Sequence, residues 1–245
     1  MRQPASRRCK GIQEVSERSE TFFRLSPVAE GKPQCFAVRR GEIKERLNPS
    51  FFGSGNQSLL KKIQAMPNVR TLGSLISEGA YGVLPKGDSY LERGGVRFLR
   101  ATEMGIDNQI DWTSCLRAPI EFSRHERAKL KKGDVLVAVK GATIASEKSV
   151  CLVDDLDEPT IINGSIFRFQ PTNEVTGNFL LEVLSTEFLK QQMKGAMILN
   201  NAVDYLSRTI LDSLIFPLPD KTIQKKLVAE MKAARSARQQ KLAQA

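Results

Sequence analysis

The 245-residue chain has one histidine, one tryptophan and four cysteines. With only His125, the chain lacks the partners for Ser-His-Asp or Cys-His catalysis and for a metal site built from several histidines. We expect His125, in the charged segment FSRHERAKLKKG, to be solvated. The cysteines, Cys9, Cys35, Cys115 and Cys151, form no CxxC pair, which predicts free thiols in a reducing compartment.

Long apolar runs are also missing. No segment approaches the ~18 consecutive apolar residues that a membrane-spanning helix needs. The basic N-terminus lacks the apolar region of a secretory signal. Hydrophobic residues still make up 41% of the chain, enough for a core over most of its length. We therefore expect a cytoplasmic protein with no membrane partner.

The positive charge is concentrated in the two ends of the chain. The net charge of +10 divides into +7 for residues 1–66, −3 for 67–220 and +6 for 221–245. Such an excess of Lys and Arg indicates a polyanionic partner. Within the centre, residues 86–140 carry +3, so any nucleic-acid contact made there is expected on that side.

The N-terminal third contains few periodic patterns. Residues 1–34 are polar and basic without a period, which predicts a disordered tail. Residues 35–68 form a helical lead-in, with a short helix at Gly41–Leu47 and a second at 58–66 that Pro67 ends.

The central part, 69–219, reads first as strands and then as helices. Alternation and β-branched residues predict strands in GGVRFLRATEM, DVLVAVK, SVCLVDD and TIINGSIFRFQP. After Pro171 the period becomes helical, and residues 178–195 are predicted to form one helix. A short helix capped by Ser207 and a strand in IFPLP follow.

The C-terminal segment, 220–245, predicts a single long helix. Ile223, Leu227, Met231 and Ala234 fall at spacings of four, four and three, and Lys and Arg occupy most other positions. Such a narrow apolar stripe is typical of a helix pair. The alternative is that this stripe packs back on its own domain.

The segment DVLVAVKGATI resembles a phosphate-binding loop at first sight, because Lys140, Gly141 and Thr143 follow an apolar strand. In a nucleotide-binding loop the lysine follows the glycine and a helix begins at once. Here Lys140 precedes Gly141, and the next residues return to a strand pattern. We therefore predict an exposed turn whose lysine and hydroxyl can meet a DNA backbone or base edge.

Residues 48–55, NPSFFGSG, suggest an alternative. NPSF resembles the catalytic motif of adenine amino-methyltransferases, and FFGSG resembles their S-adenosylmethionine loop. In those enzymes the two motifs end different strands, whereas here they overlap at Phe51. An adenine-specific DNA methyltransferase fragment is kept as the second hypothesis.

Two minor features have ordinary explanations. The acidic run 154–158 lacks the glycine and the later ligands of a calcium loop, so a solvated turn is expected. Trp112 and Tyr205 can stack on bases, although single aromatic residues more often belong to a core.

Several stretches resemble, in their order, the target recognition domain of type I restriction-modification specificity subunits. The resemblance covers roughly 69–240 and is carried by Arg100, Gly133-Asp134-Val135-Leu136, Gly141, Leu206-Ser207, Pro217-Leu218-Pro219 and Gln224. Two departures are visible. Ala145 replaces the second glycine of the turn that begins at Gly141, and the chain has room for one recognition domain where the family usually has two.

The resemblance implies an α+β fold, in which a mixed, mainly antiparallel curved sheet with helices precedes a long C-terminal helix. It implies a non-catalytic subunit, from bacteria or archaea, that directs methyltransferase and restriction subunits to a double-stranded DNA site. S-adenosylmethionine, ATP and Mg would belong to those partners, with no cofactor on this chain. A homodimer of such half-subunits would supply two domains.

The DNA-contacting residues that we predict share exposed polar side chains or flexible backbone on turns. They are Lys86, Arg100, Thr102, Lys140, Gly141, Thr143, Lys148, Asn200 and Asn201. Arg suits guanine, Asn suits adenine, and Lys suits phosphates.

Overall fold

The computed structural model describes the backbone of 22–25 and 36–39 and the residues 60–85, 90–197 and 204–243. Two compact units are present, Met1–Pro49 and Ser50–Ala245. In the first, β1 (Phe22–Leu25) pairs antiparallel with β2 (Phe36–Arg39). The predicted helix at Gly41–Leu47 lies outside the described residues. The division of the chain into 1–34, 35–68, 69–219 and 220–245 stays a prediction.

The second unit is built on a four-stranded antiparallel sheet in the order β4-β10-β7-β8. Its strands are β4 (Ile76–Tyr81), β7 (Val135–Ala138), β8 (Val150–Leu152) and β10 (Ile166–Pro171). Strand β7 lies in the interior of the sheet and both of its faces are covered. Val135 and Val137 face one core, and Leu136 and Ala138 face another. Burial on both faces explains why the segment reads as a continuous apolar run.

Two smaller sheets complete the unit. One has the order β6-β5-β9, with β5 (Val96–Leu99) antiparallel to β6 (Leu116–Ala118) and parallel to β9 (Thr160–Ile162). In the other, β3 (Val69–Thr71) pairs antiparallel with β11 (Ile215–Pro217). Short 3₁₀ turns connect the strands, at Leu72–Leu75, Ala101–Glu103, Ile106–Asn108, Trp112–Ser114, Ile120–Arg124, Glu126–Ala128 and Gly141–Thr143.

A helical segment at 60–64 lies within the helix predicted for 58–66. The helices that follow in the described residues are α1 (Gly177–Ser185), α2 (Glu187–Ala196), α3 (Arg208–Asp212) and α4 (Lys221–Ala243). The prediction of one helix over 178–195 is wrong, because two helices form there and Thr186 separates them. Its backbone is extended, and its hydroxyl accepts a hydrogen bond from the backbone N–H of Leu189 and so caps α2. Ser207 caps α3 as predicted. None of the described helices is long and apolar enough to span a bilayer.

A buried polar network ties β4, β7 and β10 together at the start of β7. Arg168 and Asp134 are both fully buried, and their side chains approach to 3.3 Å. Arg168 also donates to Glu78 at 2.7 Å and to the carbonyl of Arg127 at 2.7 Å. Asp134 accepts from the backbone N–H of Lys131 at 2.7 Å. Because all these buried groups have partners, the network stabilises the sheet without leaving a charge unpaired.

Candidate nucleic-acid interface

The turn after β7 presents Lys140 to solvent. Val139 is buried, and the chain then turns outward through Gly141, whose φ of +74° is a left-handed conformation that glycine adopts without strain. The backbone N–H of Gly141 donates to the carbonyl of Asp204 at 3.0 Å. The Thr143 hydroxyl donates to the Lys140 carbonyl at 3.2 Å. The predicted turn is therefore held by hydrogen bonds to backbone carbonyls, and the Lys140 side chain is left exposed.

Ala145 has a backbone conformation that favours glycine. Its φ is +51°, and its side chain is buried. A non-glycine residue here carries conformational strain, because its Cβ crowds the backbone. The position at which this chain departs from the glycine pattern of the specificity subunits thus retains a glycine-type backbone.

Beside this turn lies a groove with a volume of about 440 Å³. It is lined by Tyr81 and Leu84, at the end of β4 and after it, and by Lys140, Tyr205 and Arg208. The Leu206 N–H donates to the Val139 carbonyl at 2.9 Å, and backbone pairing links Lys140 to Tyr205. The Tyr81 hydroxyl reaches the same segment, because it donates to the Leu206 carbonyl at 3.4 Å.

Two cationic side chains line the groove. Lys140 and Arg208 line it, and none of the described lining residues is acidic. Arg208 is held in place, because it donates to Asp212 at 2.6 Å and its guanidinium lies 5.0 Å from the centre of the Phe167 ring. Burial raises the pKa of the Tyr81 hydroxyl.

Two glycines allow the segments that line the groove to pack closely. A Cβ at Gly82 would lie 2.2 Å from the carbonyl oxygens of Ile162 and Asn163, so only glycine lets the two segments approach. A Cβ at Gly164 would lie 3.0 Å from Cγ of Leu84. The shape of the groove therefore depends on missing side chains as well as on present ones.

Arg100 and Thr102 form a second group of predicted contacts, around the buried carboxylate of Glu103. The Arg100 guanidinium donates to Glu103 at 3.0 Å, and the Thr102 hydroxyl donates to it at 2.7 Å. The hydrogen bond to Glu103 raises the pKa of Arg100. Since this carboxylate neutralises the arginine, Arg100 is less suited to a phosphate than Lys140 is.

The other predicted contacts are either exposed or outside the described residues. Lys148 is exposed, and its backbone N–H donates to the Ser146 hydroxyl at 3.1 Å. Lys86, Asn200 and Asn201 lie outside the described residues. The structure therefore brings Lys140, Gly141 and Thr143 together on one turn, and Arg100 with Thr102 on another.

Tyr81 and Arg208 were missed by sequence reasoning. Tyr81 ends an ordinary strand, and Arg208 begins a short helix, so neither belongs to a local motif. Only the pairing of strands far apart in the chain places them beside Lys140.

The acidic run 154–158 does not form a metal site. Asp157 contacts Arg97 and Glu158 contacts Arg117, while Asp154 and Asp155 are exposed. Within the described part of the chain, no group of three or more His, Cys, Asp or Glu side chains is arranged to hold a metal ion. Trp112 packs against the Arg97 guanidinium, whose Cζ lies 4.5 Å from the centre of the Trp112 ring.

Helix α4 has two different faces. Ile223, Leu227 and Met231 are 46%, 41% and 44% exposed, and Ala234 is also exposed, so the predicted stripe does not pack on its own domain. The adjacent face of the helix is attached to the domain. Gln224 is buried there and donates to the carbonyls of Glu174 and Pro219.

A second attachment lies farther along α4. The Arg235 guanidinium makes two hydrogen bonds with Glu182 of α1, at 3.1 and 2.6 Å. This paired geometry fixes the orientation of the helix as well as its position. Helix α4 is therefore held along one side while its apolar stripe points away from the domain.

Comparison with known proteins agrees with the fold. No family model matches the chain. The specificity subunit of the type I restriction enzyme MjaVIII from Methanocaldococcus jannaschii is 24% identical over 141 residues, which are 57% of this chain and 33% of that protein. The HsdS subunit of Thermoanaerobacter tengcongensis superposes with a TM-score of 0.53 at 20% identity, covering 77% of this chain and 44% of that one. This is the fold of the type I specificity subunits.

A chain from a structure of type I R-M complex assembly gives a TM-score of 0.51 at 18% identity, over 74% of this chain and 43% of that one. The present chain thus spans about a third of the curated relative and under half of the solved chains. The predicted resemblance to specificity subunits is confirmed, as is the predicted α+β fold with its long C-terminal helix. The methyltransferase alternative is not favoured, and its motif at 48–55 lies outside the described residues.

Proposed function

We propose that this chain recognises a specific double-stranded DNA sequence as the non-catalytic specificity component of a type I restriction-modification system. The observation that carries this proposal is the specificity-subunit fold combined with a groove at the end of its central sheet that Lys140 and Arg208 line, with no acidic residue among the described lining residues. Lys140 and Lys148 would hold phosphates, while Thr143 and the Arg100–Thr102 pair would contact bases.

Binding by such a surface should depend steeply on salt, since each phosphate contact releases a counterion and contributes about −0.9 to the slope of log K against log salt. The test is a selection of bound duplexes from a random library, with the chain purified together with its partner subunits. We expect one sequence pattern to be enriched. Binding without any sequence preference would contradict the proposal.

Lys140→Gln tests the contribution of the turn. We expect weaker binding to all duplexes alike, and a salt slope reduced by about one. Lys132→Gln is the matched control, because Lys132 is an exposed lysine at the opposite end of β7. Equal losses in the two variants would show that only general charge matters.

Assembly is proposed to use the exposed stripe of α4. A narrow apolar stripe on a helix that is attached along the adjacent face suits a second helix, either from a methyltransferase subunit or from a second copy of this chain. Under this proposal S-adenosylmethionine, ATP and Mg are held by the methyltransferase and restriction subunits, and a homodimer would bring two recognition domains to a split site.

Leu227→Ser tests the stripe, with analytical ultracentrifugation as the measurement. Dissociation of the complex with the domain still folded is the expected result. Ser236→Ala, an exposed change on the same helix, is the control. If Leu227→Ser retains every assembly, the stripe is not part of the interface.

A further inference from the structure

We propose that the groove between Tyr81 and Tyr205 binds a single nucleobase displaced from the DNA stack, with the adjoining phosphate on Lys140. This inference rests on the proposed DNA-binding function and extends it, since it assigns an occupant to the groove that differs from the stacked duplex.

The first argument is shape. In B-DNA the base edges lie at the floor of a major groove about 8.5 Å deep, so a protein reads them with a protruding element such as a helix or a ribbon. The groove beside Lys140 is a recess of about 440 Å³, open on one side. Because this part of the protein surface is concave, it cannot contact base edges at the floor of the DNA groove. Its occupant must therefore protrude, as an extrahelical base does.

The second argument is the chemistry of the walls. Aromatic rings provide flat surfaces on which any base can stack, and both Tyr81 and Tyr205 line the groove. Tyr81 cannot turn freely, because its ring packs 4.9 Å from that of Phe167 and its hydroxyl donates to the Leu206 carbonyl at 3.4 Å. Leu84, 63% exposed, adds an apolar edge at the mouth.

The third argument is charge, which distinguishes a nucleotide from an apolar side chain of a protein partner. Two cations, Lys140 and Arg208, line the recess, and its lining includes no acidic side chain from the part of the chain that the structure describes. Arg208 is already paired with Asp212, whereas Lys140 is exposed and is therefore the cation of the two that can bind a phosphate. An apolar peptide would gain nothing from this lysine, whereas the phosphate beside a displaced base would.

The test uses the full chain, purified together with its partner subunits, and two DNA duplexes of the same sequence. One is fully paired, and the other carries a single extrahelical 2-aminopurine nucleotide. We expect the second duplex to bind about tenfold more tightly, the magnitude typical of one stacked base, and its 2-aminopurine fluorescence to change on binding. Equal affinities with unchanged fluorescence would overturn the groove proposal and leave the DNA-binding function standing.

Tyr205→Ala should remove most of this tenfold preference, whereas Tyr205→Phe, which keeps the ring, should retain it. Tyr90→Ala is the matched control, because Tyr90 is an exposed tyrosine whose ring contacts Phe98 and which does not line the groove. Leu84→Ser, at an exposed position, should reduce the preference less and provides a second variant whose folding is not at risk. A preference that survives both Tyr205→Ala and Leu84→Ser would place the base elsewhere and overturn the proposal.

Three further outcomes separate this proposal from the function on which it rests. Preference for the extrahelical base without any sequence selectivity would support the groove and contradict sequence-specific recognition. Failure to bind either duplex would contradict both. Loss of partner-subunit binding in Tyr205→Ala, with the base preference unchanged, would show that a protein side chain fills the groove and would overturn the proposal.

Discussion

The two ends of β7 carry charged residues in opposite environments. At its start, Asp134 is fully buried and meets Arg168 inside the sheet. Past its end, Lys140 is exposed on a glycine turn beside an open groove. Only four strand residues, Val135–Ala138, separate the two environments. Charge in the sequence therefore does not by itself indicate function: one end uses charge to fix the sheet, and the other leaves it available to a ligand.

The strongest expected effect is at the buried end. Arg168→Met should lower the free energy of unfolding by about 3–5 kcal/mol, because it leaves the Asp134 carboxylate buried without its cation. Urea denaturation measures this change. Lys131→Met is the control: Lys131 is an exposed partner of Glu78 in the same network, so its loss should cost less than about 1 kcal/mol. Comparable losses in both variants would show that burial does not distinguish the two cations.

A smaller stability effect is expected at the turn. Gly141→Ala should cost about 1–2 kcal/mol, since a side chain at a φ of +74° is strained even though no atom lies within 4 Å of the new Cβ. Gly141→Asn should cost less, because asparagine tolerates this conformation better. If thermal unfolding shows no difference between Gly141→Ala and the wild type, the turn must relax without strain.

Acid should weaken the buried end through Glu78. Its pKa is lowered from 4.5 to about 2, first by the hydrogen bond from Lys131 and then by that from Arg168. Because the folded pKa is the lower one, ionised Glu78 contributes stability above pH 4.5 that is lost as the pH falls towards 2.

Glu78→Gln should therefore be less stable than the wild type at neutral pH, and this difference should shrink as the pH falls through that window. Urea unfolding at several pH values measures the two curves. Parallel curves would mean that Glu78 does not account for the acid dependence. Asp134 has the opposite sign, since burial raises its pKa, so it cannot supply the same effect.

The smallest expected stability effect is at the exposed end. Lys140→Gln should change the free energy of unfolding by less than about 0.5 kcal/mol, as is usual for surface substitutions. Its effect should be confined to DNA affinity. A large loss of stability would contradict the contrast between the two ends of β7.

The parts of the fold that follow from local patterns could be predicted. The apolar run of β7, the Ser207 cap and the long C-terminal helix each depend on neighbouring residues, and each is found. The break at Thr186 was missed because a polar Ser-Thr pair fits the exposed face of one helix as well as a cap between two.

Burial of polar residues was harder to predict. Alternation along β10 would place Arg168 on the opposite face from Phe167 and Phe169, and an arginine on that face suggests solvent. The second core covers this face instead, and Arg168 is fully buried. The groove was not predictable for a related reason, since Tyr81, Lys140 and Tyr205 meet only through pairing between distant segments.

The pairing of β3 with β11 has a consequence for how such a domain can change. Val69 and Pro217 lie opposite each other in adjacent strands, and paired strands are about 4.8 Å apart. The segment 69–217 thus begins and ends at neighbouring positions in the structure. Replacing this segment with that of a relative, through recombination of the coding sequence, would leave the distance between the flanking segments unchanged. Under the proposed function, a new DNA preference would then be acquired in one genetic event, provided that the incoming segment keeps the Glu174 and Glu182 contacts that hold helix α4.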